Sequence, residues 1–64
     1  MIYRCCFLDG NDIVDALEEI EADTILDAID QAKAMLSQRS HHEAVELWLG
    51  NKCAYRARQD RAAA

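Results

Sequence analysis

The sequence predicts a small α+β domain, in which one helix packs on one face of an antiparallel sheet in the order β-β-α-β-β. Two turn signals, DGND at residues 9–12 and GNK at residues 50–52, each lie between short apolar stretches and predict two hairpins. One apolar stripe with helical spacing lies between these hairpins and predicts the single helix. Two hairpins with one helix between them are typical of an α+β domain.

The first strand is predicted at residues 2–8, a run of apolar and aromatic residues without glycine or proline. Successive side chains of a strand point to opposite faces of the sheet. The two expected sets are Tyr3, Cys5 and Phe7 on one face and Arg4, Cys6 and Leu8 on the other. The turn that follows contains Gly10 and Asn11, which both tolerate positive φ.

Residues 13–22 allow two interpretations. Ile13, Leu17 and Ile20 have helical spacing, and this pattern could continue into one helix over residues 12–37. Such a helix is long for so short a chain, and it would leave the first strand without a neighbour across a good hairpin turn. The same stretch also alternates weakly between apolar and polar residues, so we predict a strand.

The helix is predicted to begin near Thr24, which caps it and forms an approximate capping box with Asp27. Acidic residues in the first turns favour a helix start because of the helix dipole. The apolar stripe consists of Ile25, Ala28, Ile29, Ala32 and Leu36.

Two further strands follow the polar connection SQRSHH. In EAVELWLG, the alternation places Ala44, Glu46 and Trp48 on one face and Val45, Leu47 and Leu49 on the other. In CAYRAR, it places Cys53, Tyr55 and Ala57 opposite Ala54, Arg56 and Arg58. We predict a single domain over residues 1–58 and a flexible tail over residues 59–64.

Composition narrows the class of protein. The chain has 64 residues, and a domain of this size buries only about 60% of its unfolded surface, so an oligomer or a metal often supports its stability. No apolar run approaches membrane-spanning length, and the N-terminus lacks the pattern of a signal peptide. Three cysteines, an odd number, do not indicate a disulfide framework. We therefore expect a reduced, cytoplasmic protein that does not associate with membranes.

Charge is distributed unevenly along the chain. Nine acidic residues and no Lys or Arg lie between Asp9 and Asp30, whereas the segment from Lys52 to Arg61 is basic. We expect these regions to neutralise each other within the fold or across a dimer. The chain as a whole has a net charge of −5, and its acidic part would repel phosphate, so we do not expect nucleic acid as a partner.

The segments YRCCFLD, IEADTILDAI and VELWLG resemble a family of short uncharacterised alphaproteobacterial proteins. Its pattern is a YR-x-x-FLD opening, EAD before an Ala-rich helix and an ELW-x-G strand, and the resemblance covers residues 3–56. It implies a bacterial source and favours the strand interpretation of residues 13–22. It implies no known activity, and Cys6 departs from the aromatic residue frequent at that position.

No residue pattern indicates an enzyme, a catalytic residue or a cofactor. Cys5 and Cys6 point to opposite faces of a strand, so they cannot bind one ion together. A nucleophilic site would need Cys6 or Cys53 near His41, and nothing in the sequence brings them together. Neither glycine belongs to a phosphate-binding loop.

The function we predict is a non-catalytic interaction module, either a homodimer or a protein that binds an unknown protein partner. One helix covers only one face of the sheet, so the second face is free for an interface formed by Arg4, Cys6, Leu8 and Trp48. Trp48 fits either face at this level. The alternative is a metal- or redox-responsive protein that uses Cys5, His41, His42 and Cys53.

Overall fold

The structure, a computed structural model, describes residues 1–59 and confirms the predicted α+β fold in the order β-β-α-β-β. One sheet has the strand order β2-β1-β3-β4, and every neighbouring pair is antiparallel. The elements are β1 (Ile2–Leu8), β2 (Val14–Glu21), α1 (Ile25–Ser37), β3 (Ala44–Leu49) and β4 (Lys52–Arg58).

The first hairpin shows that residues 13–22 are mainly strand and not part of a long helix. Asp9 organises its turn, because its carboxylate accepts hydrogen bonds from the backbone N–H groups of Asn11 and Ile13 at 2.8 and 3.1 Å. The left-handed residue is Asp12, with φ 61°, and not Gly10 or Asn11. Aspartate tolerates this conformation better than most side chains do.

The second hairpin joins β3 to β4 through Gly50 and Asn51. Gly50 has φ 62°, a conformation that a residue with a Cβ rarely adopts. Glycine in the first position of such a two-residue turn matches the twist of antiparallel strands.

The helix begins where the capping signal predicts. Thr24 is the N-cap, and its hydroxyl accepts a hydrogen bond from the backbone N–H of Asp27 at 3.2 Å. Most of the predicted stripe faces the sheet: Ala28, Ala32 and Leu36 are buried, whereas Ile25 in the first turn is 38% exposed. The three buried residues pack with side chains from one face of the strands, namely Tyr3, Cys5, Phe7, Val45 and Leu47.

Two register shifts change which side chains share a face. In the β1–β2 pair, Phe7 lies opposite Ala16 but Leu8 lies opposite Val14, so Asp15 is an extra residue in β2. In the β3–β4 pair, the extra residue is Ala54 in the same way.

The second shift corrects one sequence expectation. Cys53 lies opposite Trp48, whereas Tyr55 lies opposite Leu47, which belongs to the helix side. Cys53 therefore does not share a face with Tyr55, because the extra residue Ala54 breaks the alternation.

The end of the described chain is held in place. The backbone N–H of Gln59 donates to the Glu43 carbonyl at 2.6 Å, and its side-chain amide donates to the Leu36 carbonyl at 2.8 Å. The remainder of the predicted flexible tail, residues 60–64, lies outside the described residues. Within residues 1–59, the single helix is too short and too polar to cross a membrane.

Candidate functional site

The helix covers one face of the sheet and leaves the other uncovered by any element of the described chain. We call this second surface the open face. The strand register arranges it in three rows across β2, β1, β3 and β4. The rows are Glu19–Arg4–Trp48–Cys53, Leu17–Cys6–Glu46–Arg56 and Val14–Leu8–Ala44–Arg58.

Apolar side chains make up much of the open face on the side of β2. Ile2, Val14 and Leu17 are 52%, 51% and 56% exposed, and two further side chains of this face, Cys6 opposite Leu17 and Trp48 opposite Arg4, are half-buried. Scattered exposed aliphatic residues are ordinary on a protein surface, but a contiguous apolar patch is characteristic of an interaction surface.

Hydrogen bonds fix the tryptophan in this surface. The indole Nε1–H of Trp48 donates to Glu46 Oε1 at 3.2 Å, and the other carboxylate oxygen of Glu46 lies 3.6 Å from Arg56 Nε. Arg4 donates to the Gly50 carbonyl at 2.7 Å. The indole N–H of Trp48 is thus paired within the chain, and the half-buried ring keeps part of its surface exposed on the open face.

The two outer strands of the open face carry opposite charges, and Arg4 and Glu46 lie on the central strands between them. The acidic side chains Glu19 and Glu21 lie on β2, and the basic side chains Arg56 and Arg58 lie on β4. Arg58 pairs with Asp12 at 3.1 Å, so the predicted neutralisation of the acidic and basic segments occurs partly within the chain.

The predicted interface residues all lie on the open face, although one contributes little surface. Arg4, Cys6 and Trp48 are accessible, and the register places Trp48 on the side away from the helix. Leu8 is only 3% exposed. It offers almost nothing to a partner.

Sequence reasoning did not place Val14 and Leu17 in this surface. They are three positions apart, and two residues with that spacing share a strand face only when a bulge intervenes. The extra residue Asp15 supplies that bulge. The signal in the sequence was the same irregular spacing that resembled a helix.

The three cysteines are free thiols in different environments. Cys5 is buried in the core, Cys6 is half-buried on the open face, and Cys53 is exposed. Burial raises the pKa of the Cys5 and Cys6 thiols above their ordinary value of 9.0, and the Glu46 carboxylate raises that of Cys6 further. A raised pKa lowers the thiolate fraction, which is the reactive form.

The two histidines lie elsewhere, beside the bulge of β2. His42 is buried and stacks on Phe7, with ring centroids 5.7 Å apart, and His42 Nε2 lies 2.9 Å from Asp15 Oδ2. The His41 ring is exposed, and its centroid lies 4.2 Å from that of His42. Arg39 completes this corner by lying 4.3 Å above the Phe7 ring.

The predicted set of Cys5, Cys53, His41 and His42 does not come together in the described part of the chain. Among residues 1–59, the two histidines group with Asp15 and with neither cysteine. Cys5 lies opposite Leu47 in the core, while Cys53 lies near the start of β4 and is exposed. Asp15 is the residue that sequence reasoning missed, because it was assigned to a generally acidic surface.

The chain matches no known protein family, no curated protein and no solved structure. The resemblance to short alphaproteobacterial proteins stays a prediction. Function must therefore be argued from the two surfaces described above.

Proposed function

We propose that this protein is a non-catalytic interaction module whose open face packs against a second copy of the chain. The observation that carries the proposal is the set of exposed apolar side chains on the open face, where Leu17, Val14 and Ile2 are about half exposed and Trp48 lies on the same face. Covering such a surface removes apolar area from water, which stabilises a small domain with a limited core.

Charge complementarity favours a second copy as the occupant. A two-fold axis parallel to the strands would place β2 of one chain over β4 of the other. This axis keeps each row at its own level along the strands, so Glu19 would lie one row away from Arg56 of the partner subunit. A two-fold axis perpendicular to the strands would place β2 over β2 and bring like charges together, which is unfavourable. The first arrangement is the one we propose.

The proposal includes a cytoplasmic location and no catalytic role. Its support is the chemistry of the cysteines: all three are free thiols, and the pKa values of Cys5 and Cys6 are raised, which is the opposite of an activated nucleophile. A reducing compartment preserves thiols of this kind.

The decisive experiment compares Leu17→Glu with Leu26→Glu under reducing conditions. Both leucines are exposed, at 56% and 71%, but Leu17 lies on the open face and Leu26 on the helix. Sedimentation velocity should show a dimer for the wild type and for Leu26→Glu, and a monomer for Leu17→Glu. Circular dichroism should show the same fold in all three.

Trp48 provides a second readout, because it is the only tryptophan and lies on the open face. On dilution of the wild type, its emission should shift to longer wavelength as the dimer dissociates. The Leu17→Glu emission should not depend on concentration. A wild type that sediments as a monomer at all concentrations, with unchanged emission, would overturn the proposal.

A further inference from the structure

Three side chains that commonly bind metal ions meet at the bulge of β2. Asp15, His41 and His42 each offer one ligand atom, and the three atoms lie within 4.8 Å of one another. They come from two distant segments, since Asp15 and His42 are 27 positions apart. The bulge is what brings the carboxylate to the histidines, because Asp15 is the extra residue of β2.

His42 is an unusual core residue. It is 2% exposed, its ring stacks on Phe7, and its Nε2 bonds the Asp15 carboxylate, yet its Nδ1 is buried without a hydrogen-bond partner. Leaving a buried polar atom unpaired costs about 1–3 kcal/mol, so an apolar ring would serve packing better at this position. The polar contact that the ring does make is the one between its Nε2 and the Asp15 carboxylate.

The two atoms of the pair are slightly closer than two ligands of one ion, so binding requires only a small opening of the gap between them. Asp15 Oδ2 and His42 Nε2 are 2.9 Å apart. Atoms that each lie about 2.0–2.2 Å from one zinc ion are separated by roughly 3–3.5 Å at neighbouring positions. His41 is exposed, so its ring can move to complete the set without disturbing the core.

Charge in this corner also favours a cation. Arg39 forms an ion pair with Glu18, and these two charges cancel. The Asp15 carboxylate lies beside the two imidazoles and supplies the anionic ligand atom of the group. One carboxylate oxygen and two imidazole nitrogens are ligands suited to zinc and its first-row neighbours, not to Ca²⁺ or Mg²⁺.

We propose that Asp15, His41 and His42 form a binding site for a divalent first-row transition metal ion of the zinc type. The ion lies between His42 Nε2 and Asp15 Oδ2, in place of the hydrogen bond that joins them. His42 anchors the ion from the buried side, while Asp15 and His41 approach from the exposed side. Three protein ligands leave a coordination position for water, as in open zinc sites.

The test is a titration of the full chain with Zn²⁺ under reducing conditions, followed by calorimetry and native mass spectrometry. One Zn²⁺ per chain is expected. Asp15→Asn and His41→Ala should each weaken binding on the order of tenfold or more, since even residues that only orient ligands cost that much. Both positions are exposed, so circular dichroism should show that these variants fold.

Two matched control variants distinguish this site from Zn²⁺ binding by other side chains of the protein. Asp30→Asn removes an exposed carboxylate on the helix, and Cys53→Ser removes the exposed thiol; neither should change the Zn²⁺ affinity. A Co²⁺ complex should lack the thiolate charge-transfer band of a cysteine site. Absence of Zn²⁺ binding, or binding that depends on Cys53 and not on His41, would overturn the proposal.

The outcome is independent of dimer formation. Leu17 lies on the open face, whereas His42 stacks on Phe7 on the helix side of the sheet. The Leu17→Glu variant should therefore bind Zn²⁺ as the wild type does, so failure of one proposal is distinguishable from failure of the other.

Discussion

The two faces of the sheet differ in how completely this short chain uses them. On the helix side, Phe7, Val45 and Leu47 are fully buried beneath Ala28 and Ala32 of α1. On the open face, aliphatic side chains of β2 remain about half exposed beside Trp48. The same strands supply both faces, so the difference arises from having one helix to cover two surfaces.

The two faces therefore contribute to different processes: one stabilises each folded chain, and the other is available for association. A residue under the helix contributes to the free energy of unfolding of each chain. A residue on the open face contributes mainly when another molecule covers it, because its apolar surface is still in contact with water in the isolated chain. The predictions below test that separation.

The largest expected effect comes from truncating the core. Leu47→Ala should lower the free energy of unfolding by about 2–5 kcal/mol, because it leaves a cavity beneath the helix. Leu17→Ala, measured in solution dilute enough to exclude a dimer, should cost only about 0.5 kcal/mol. Urea unfolding of both variants measures the contrast, and equal losses would show that the open face already supports the isolated fold.

An intermediate effect should follow from reversing charges at the two edges of the open face. Glu19→Arg alone should weaken the dimer by on the order of 1 kcal/mol, because it opposes like charges across the proposed interface. Combining it with Arg56→Glu should restore part of the loss. The comparison must be made at constant low salt, since screening weakens charge interactions.

Sedimentation equilibrium of the single and double variants measures that recovery. Arg56 also pairs with Glu46 within the chain, so Arg56→Glu alone serves as the control for loss of this contact. A double variant no stronger than the worse single variant would exclude the proposed strand-parallel arrangement while leaving other dimers open.

The smallest expected effect concerns the thiols. Cys53 should be alkylated first, because it is exposed. Cys6 should react slowly, and its rate should rise only at a pH above 9.0, the ordinary pKa of a thiol, because the pKa of Cys6 is raised. Burial, and after it the Glu46 carboxylate, raises the pKa of Cys6. Because Glu46→Gln removes this negative charge, it should speed alkylation of Cys6. Mass spectrometry of iodoacetamide-treated protein across pH measures both rates.

The same pKa shifts determine how stability changes with pH. Folded Cys5 and Cys6 hold their protons to higher pH than the unfolded chain does. The unfolded state therefore releases its protons first as the pH rises past 9.0, and the free energy of unfolding should fall from there. Cys5→Ala should reduce this alkaline loss of stability.

Local pattern was enough to predict each element of the fold. The Thr24 cap and the stripe of Ala28, Ala32 and Leu36 define the helix through interactions within a few positions. The Gly50 turn and the alternation of β3 act in the same short range. Such signals can be recognised in the sequence because each depends only on residues a few positions apart.

The candidate sites were less predictable, because both depend on a bulge. Residues 13–22 alternate poorly since Asp15 is an extra residue, and that irregularity resembled helical spacing. It also concealed that Val14 and Leu17 share the open face. The same bulge turns Asp15 toward His42, a contact between segments 27 positions apart.

The sequence by itself determined the order of the elements, the capped helix, the two hairpins and the apolar side of each regular stretch. Only the tertiary structure decided that Trp48 faces away from the helix and that Asp15 joins His41 and His42. The physical reason is that strand register depends on hydrogen bonds between distant segments, and one extra residue moves a side chain to another face.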